Sequence, residues 1–455
     1  MILDVTESRE NVAGTGDTAE GSTGAKASGT GVHPHADGSG RAARVHERLD
    51  ACGITTLWSE EADTDTFCEA LSARVRALSP AFGLIWFSPS RHVAAALVDA
   101  LRERVPHFRF GGCSTSGEIT PDGHQERGIV ALLLPRTHFR VLSQRFDEVH
   151  TLGMEAIALK AFEARTRFLA GGEDYLPESL PVPEEESVFA MCLIDGLVYA
   201  EEAVTTALDR GLDGLPLIGG SAGDDLAFAR TDLIEEGGTF TRGALLMLIE
   251  CRLPFRLFTD NNFVPTEHRL VVTDSDPERR IVHEFNAEPA ADAYAHAIGV
   301  ETAALDPRTF ASHALVVRIG GEYYARSIQR VNPDGSLTFF CAIDDGLVLT
   351  VARSEGMAGA TRAAIEAIET ELGPLGALFG FDCVYRLLDA RHRNATARVE
   401  TLYREKGFVG FNSYGEQFRS MHINQTFTGV AIAARRGEMT RPGNLPPVRS
   451  APTSE

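Results

Sequence analysis

A pattern that recurs three times along this 455-residue chain limits its fold more than any other feature. The first copy opens with the apolar run Phe82 to Phe87, long enough for one buried strand, and continues into a helix with Val93, Leu97, Leu101 and Val105 on one face. A second short strand enters the turn Gly111-Gly112-Cys113-Ser114-Thr115-Ser116-Gly117-Glu118, and Gly128 to Leu133 closes the copy. The second copy runs from Val188 to Ile194, through a helix bearing Val204, Leu208 and Leu212, to Gly219-Gly220-Ser221-Ala222-Gly223-Asp224-Asp225 and the strand Gly243 to Ile249. The third places a strand at Asp382 to Leu388, a helix on Val399, Leu402 and Tyr403, the turn Gly410-Phe411-Asn412-Ser413-Tyr414-Gly415-Glu416 and a last strand from Gly429. Strand, helix, strand is a crossover, so each copy predicts a parallel pair with its glycine-rich turn at one sheet edge.

Between copies two and three the pattern changes. The runs His313 to Ile319, Glu322 to Val331, Leu337 to Ile343 and Leu347 to Val351 are separated by Gly320-Gly321, Asn332-Pro333-Asp334-Gly335 and Asp344-Asp345-Gly346. Short strands divided by turn-forming clusters predict an antiparallel meander. A helix follows on Met357, Ile365, Ile368 and Leu372, stopped by Gly373-Pro374. The expected fold class is therefore α/β: repeated strand-helix-strand units with glycine-rich turns, plus an antiparallel β-meander.

Charge and cysteine usage narrow the partners. With 64 acidic against 43 basic residues the formal charge is −21, which repels phosphate backbones and anionic lipids, so neither nucleic acid nor a membrane is an expected partner. No apolar run reaches the roughly 18 residues of a membrane span, and no basic segment followed by an apolar stretch opens the sequence, so neither a membrane span nor an export signal is expected. The seven cysteines are odd in number and form no C-x-x-C pair, which fits a reducing cytoplasm and small buried hydrophobes rather than disulfides or zinc. Residues 1–45 and 437–455 lack apolar periodicity and are expected to be disordered tails; His33 and His35 in the first are not expected to bind metal.

The turns offer chemistry of several kinds. None matches G-x-x-x-x-G-K-[ST] or G-x-G-x-x-G, and their acidic ends (Glu118, Asp224, Asp225 and Glu416) suit an amine or a hydrogen-bonding role better than a phosphate. Cys113, Ser114 and Ser221 are conceivable nucleophiles, yet none sits in a G-x-S-x-G elbow and no H-E-x-x-H spacing exists, so catalysis is not expected. His422, within Met421-His422-Ile423-Asn424-Gln425-Thr426, is either a hydrogen-bonded core histidine or a metal ligand; a neutral imidazole beside Phe418, Ile423 and Phe427 is what a haem iron requires. Tyr414 is a poorer second candidate.

From about Phe82 to Ala434 the chain resembles the FIST proteins of bacterial signalling systems. The resemblance lies in the turns at 111 to 118 and 219 to 225, in Asn286-Ala287-Glu288-Pro289-Ala290 as a junction, and in Ser327-Ile328-Gln329-Arg330, Phe411 to Gln417 and Met421 to Thr426. It implies a non-enzymatic sensor with an N-terminal domain at 46–308 and a C-terminal domain at 309–436. The last two motifs are similar to the haem-binding, nitric-oxide-sensing (NosP-type) branch. They imply haem b with His422 as iron ligand, Tyr414 and Phe418 beside it, and Asn424 or Gln425 orienting the ring. The implied output is control of a partner histidine kinase or a cyclic-di-GMP enzyme. The alternative is a haem-free sensor of a small metabolite such as an amino acid, held by Cys113, Ser114, Glu118, Ser221, Asp224, Asp225 and Glu416; an acyl-transfer or hydrolytic enzyme is a third possibility.

Overall fold

The computed structural model describes residues 44–171, 183–319 and 321–434; the rest of both expected tails, His33 and His35 among them, and Gly320 of the first meander turn lie outside these residues. The expected crossovers are present. Phe82–Phe87 pairs in parallel with Phe110–Ser114, Val188–Ile194 with Leu217–Ser221, and Leu375–Cys383 with Phe408–Ser413. In each unit the closing strand, Ile129–Leu134, Ala244–Cys251 or Phe427–Ala433, lies antiparallel on the other side of the first strand. The mixed α/β class is as the sequence predicts.

One strand differs from its expected place. The third unit opens at Leu375–Cys383, and Val384–His392 is a helix instead of part of the strand. Val384, Leu387 and Leu388 fall at helical spacing, but so short a run beside Cys383 also fits the end of a buried strand, so the sequence alone does not separate the two. Packing does: Val384, Tyr385, Arg386, Leu387, Asp389 and Ala390 are all buried in that helix.

Alternation along the strands builds a three-sided core. Phe82, Leu84 and Trp86 point inward to meet Met191, Leu193, Phe379, Phe381 and Phe411, while Ile85 and Phe87 point outward under the helices Thr64–Leu78 and Ala94–Arg104. The same division repeats in the other units, whose outer faces are covered by Met154–Leu169 with Glu201–Leu212, and by Met357–Leu372 with Thr396–Lys406. Period-two burial on both faces is what strands sandwiched between a core and helices require.

The turns do not end at free edges. Each unit's second strand is followed by a short hairpin that leaves its own sheet for a neighbour's. Glu118–Thr120 of unit one pairs with Phe408–Ser413 of unit three, Glu416–Phe418 of unit three pairs with Leu217–Ser221 of unit two, and Leu233–Glu235 of unit two pairs with Phe110–Ser114 of unit one. The exchange closes a ring of three and covers an edge that would otherwise expose unpaired backbone.

The meander region is an insertion into unit three, between the strand Phe255–Asp260 and the helix Met357–Leu372. It is more than a meander. His313–Ile319 and Glu322–Arg326 form one hairpin, Ile328–Val331 and Leu337–Phe339 another, and the two join through Val348–Ser354, the long strand Phe263–Asp276 and Ile281–Phe285. The expected run Glu322 to Val331 breaks at Ser327. Phe255–Asp260 pairs with Phe427–Ala433, tying residues on either side of the 308/309 boundary into one sheet. All seven cysteines are free and buried, and no helix among the described residues is long and apolar enough to cross a membrane.

Candidate functional site

The hairpin exchange draws the three glycine-rich turns into one knot. Ser116 N–H donates to Asn412 O and Asn412 N–H to Gly117 O; Gly223 N–H donates to Ser114 O, and Tyr414 N–H to Ser221 O. Of the sequence-derived candidates, Cys113, Ser114, Glu118, Ser221, Asp224, Tyr414 and Glu416 all meet here, and all are at most 4% exposed. Most are engaged in holding the knot. Ser114 Oγ donates to Gly223 O at 2.7 Å, and Ser221 Oγ accepts from Gln417 Nε2 at 2.9 Å. No histidine hydrogen-bonds to Ser114, Ser221 or Cys113 among the described residues, and burial raises the Cys113 thiol well above its ordinary pKa. A thiol held protonated is a poor nucleophile.

Turns one and three are twins. Thr115 Oγ1 donates to Glu118 Oε1, and Gly128 N–H to Oε2 at 2.8 Å. Ser413 Oγ donates to Glu416 Oε1, and Thr426 Oγ1 to Oε2 at 2.6 Å. Burial outweighs these bonds and pushes Glu416 up to about 8 and Glu118 also well above the usual carboxylate range. In the hairpin that follows each glutamate, His124 faces Ile119 and His422 faces Gln417 across equivalent pairs. A side chain added at Gly117 would lie 2.5 Å from His124 Nε2, and one at Gly415 would lie 2.4 Å from His422 Cε1 and 2.9 Å from Nε2. Both imidazoles are lowered to about 4 by desolvation and so are neutral. Each wedges its Nε2 edge onto a glycine and leaves that nitrogen without a hydrogen-bond partner.

Turn two departs from the twins. Between Asp224 and its hairpin it carries the extra residues 225–232, whose Asp225, Leu226 and Phe228 have φ of 57°, 63° and 50°. The Asp224 carboxylate holds this loop by accepting from the N–H groups of Phe228, Ala229 and Arg230 at 2.9, 2.7 and 2.9 Å, and Tyr414 donates its hydroxyl to the same group. Phe228 stacks on Tyr414 with ring centres 4.9 Å apart and reaches Phe340 of the inserted region at 6.0 Å. Asp225 points elsewhere, to Ser88 Oγ and Ser90 N–H, and burial raises its pKa.

What sets turn three apart is the polar chemistry around its histidine. Gln417 Nε2 bridges Ser221 Oγ and His422 Nδ1, at 2.9 and 3.1 Å, where turn one has Ile119 in the same register. An Nδ1 that accepts places the ring proton on Nε2. Asn424 bridges to Ala325 of the inserted region, and Arg326 reaches His422 O at 3.5 Å. Around this seam Ser327 Oγ, Gln329 Oε1, His422 Nε2, Asn424 Oδ1 and Gln425 Oε1 are buried without partners, while Gln425 Nε2 makes only a long 3.4 Å bond to Phe310 O. Phe418 lies in the central core. Nearby, Arg280 is buried between Glu201 and Glu202, both at 2.6 Å, and donates to Phe340 O at 2.6 Å. Glu202 is close enough to oppose the desolvation that lowers His422.

Sequence reasoning missed Arg280, Glu202, Arg326, Phe228 and Phe340, which lie in no motif. The signal for Ser327 and Gln417 was present in the quoted motifs. As for haem, His422 Nε2 has no hydrogen-bond partner among the described residues, but the Gln417 contact at Nδ1 places the ring proton on that nitrogen, where it would have to leave before iron could bind. The space does not suit a porphyrin: the ring is 4% exposed and its Nε2 edge lies against the Gly415 backbone.

A ring of three exchanged α/β units with a β-rich insertion, its polar groups turned inward at one seam, defines a ligand-holding scaffold more than a catalytic cleft. Comparison with known families agrees with that class: residues 81–288 match the FIST N domain and residues 290–419 the FIST C domain. The chain carries both domains of the FIST sensory family. No curated protein matches it.

Proposed function

We propose that this chain is a signal-transduction sensor that takes a small, hydrogen-bonding metabolite, an amino acid among the candidates, at the seam between the third turn and the inserted region. One observation carries the reading: five buried polar atoms, on Ser327, Gln329, His422, Asn424 and Gln425, lack partners at one seam. Leaving a single buried polar group unsatisfied costs about 1–3 kcal/mol, so such a cluster calls for a ligand or ordered water to complete it. Tyr414, Phe228 and Asp224 adjoin the seam and give a route by which occupancy is felt in all three units. No kinase or cyclase motif lies in the sequence, so the signal passes to another protein, a histidine kinase or a cyclic-di-GMP enzyme in keeping with the family resemblance.

Thermal denaturation of the full chain against a panel of amino acids and other small polar metabolites tests it. A ligand that raises the melting temperature in proportion to its concentration supports the reading, and Asn424→Leu should abolish that rise. A panel without effect, or a rise untouched by Asn424→Leu, overturns it.

A second reading, haem b on His422 as a nitric-oxide sensor, is favoured by the unpartnered Nε2 alone, and it requires the ring proton to leave Nε2 and the hairpin 416–423 to move off Gly415. Haem titration decides it. A Soret band lost in a folded His422→Ala variant supports haem, and its persistence there removes His422 as the ligand.

A further inference from the structure

A second feature stands apart from that seam and independent of it. An open cavity of about 430 Å³ lies beside unit two, lined by His150, Val198, Tyr199, Arg242, Glu278 and Arg279. Its backbone is unusual. Tyr199 and Arg242 have φ of 56° and 54°, and Arg280, just behind, has 57°. Bulky residues in the left-handed region are uncommon and persist where the surroundings over-determine them, a condition met more often at ligand sites than elsewhere. Here one buried carboxylate does so: Asp195 accepts from Leu197 N–H at 2.9 Å, from Arg242 N–H at 2.5 Å and from the Thr231 hydroxyl.

The strained backbone holds an aromatic face open to solvent. Tyr199 is 45% exposed although it abuts the core, and the Arg280 guanidinium backs its ring at 5.1 Å. The cations at the rim are available. Arg279 makes no ion pair among the described residues, and Arg242 pairs only with Glu148, both partners more than half exposed, a kind of contact that exchanges readily. We infer that this cavity is a binding site for a planar aromatic anion, its ring stacked on Tyr199 and its carboxylate or phosphate held by Arg279 and Arg242. The volume suits a mononucleotide-sized molecule. Arg280 touches Tyr199 on one side and Glu201 and Glu202 on the other, which fixes the guanidinium behind the ring.

Calorimetric titration of the full chain with guanosine monophosphate and, separately, with indole-3-acetate tests the site and separates the two sources of such an anion. Saturable binding of either supports it, and the probe that binds names the source. Tyr199→Ala should weaken binding about tenfold while Tyr199→Phe keeps it, since stacking and not the hydroxyl holds the ring. Arg279→Gln should weaken binding and flatten its dependence on salt. Binding equal to wild type in Tyr199→Ala, with the variant melting normally, overturns the assignment, as does the absence of heat from both probes at millimolar concentration.

Discussion

Turn one and turn three use the same parts: a hydroxyl-bound buried glutamate, a glycine, and a neutral histidine wedged against that glycine. They differ in what lies across the hairpin. His124 sits opposite Ile119, whereas His422 sits opposite Gln417 and within a polar seam bounded by Arg326, Glu202 and Asn424. The comparison teaches that a buried histidine with an unpartnered Nε2 is a property of the repeated turn, present in turn one as well as beside His422. The shared features belong to the repeated fold, and the proposed function draws on the departures of turn three from its twin.

The largest expected effect breaks both turns alike. Gly117→Ala and Gly415→Ala each drive a methyl into a histidine and should cost about 3 kcal/mol or more in urea unfolding. Removing the obstacle distinguishes them. His422→Ala should relieve the closest contact in Gly415→Ala and leave only the Asn424 amide, 2.9 Å away, to shift, while His124→Ala should leave Gly117→Ala short by about 1–3 kcal/mol, because Gly117 also has a φ of 122°. Equal recovery in the two double variants would show that the wedge, and not the backbone, decides both.

A smaller effect tests the glutamates. Glu118→Ala and Glu416→Ala strand a buried hydroxyl and N–H and should each lose about 1–3 kcal/mol, whereas the glutamine variants, which mimic a neutral carboxyl, should stay close to wild type. A glutamine as damaging as alanine would mean that the carboxyl is charged in the fold.

The smallest effect is in pH dependence, where the two groups of turn three oppose one another. His422 has a folded pKa near 4 against 6.5, so its stability is present above 6.5 and is lost as pH falls. Glu416 is raised to about 8 from 4.5, so its stability is present below 4.5 and is lost as pH rises through 8. Between 4.5 and 6.5 the slopes cancel. Glu416→Gln should therefore uncover a loss of about 1.4 kcal/mol per pH unit on acidification below 6.5 and remove the decline between 6.5 and 8. Urea midpoints measured across this range should show both changes, and a variant curve parallel to wild type would contradict the assignment of a neutral Glu416.

Much of this was written in the chain. Three copies of strand, helix, strand and glycine-rich turn predicted the parallel crossovers, because two strands of one sheet joined through a helix pair in parallel. The turn residues and the motif around His422 were visible as candidates because glycine, acid and amide residues stand out against apolar strands. The strand of unit three was misplaced because a short run around Val384, Leu387 and Leu388 can end a buried strand or begin a helix, and only the neighbours it buries against choose between them. Tertiary structure alone decided the exchange of hairpins, the stacking of Phe228 on Tyr414, the junction of Arg280 with Glu201 and Glu202, and the contact of each histidine with its glycine. Local sequence specifies which residues turn, extend or coil. It does not specify which distant edge a hairpin will join, since that is set by the free energy of burying surfaces that meet only after the chain has folded.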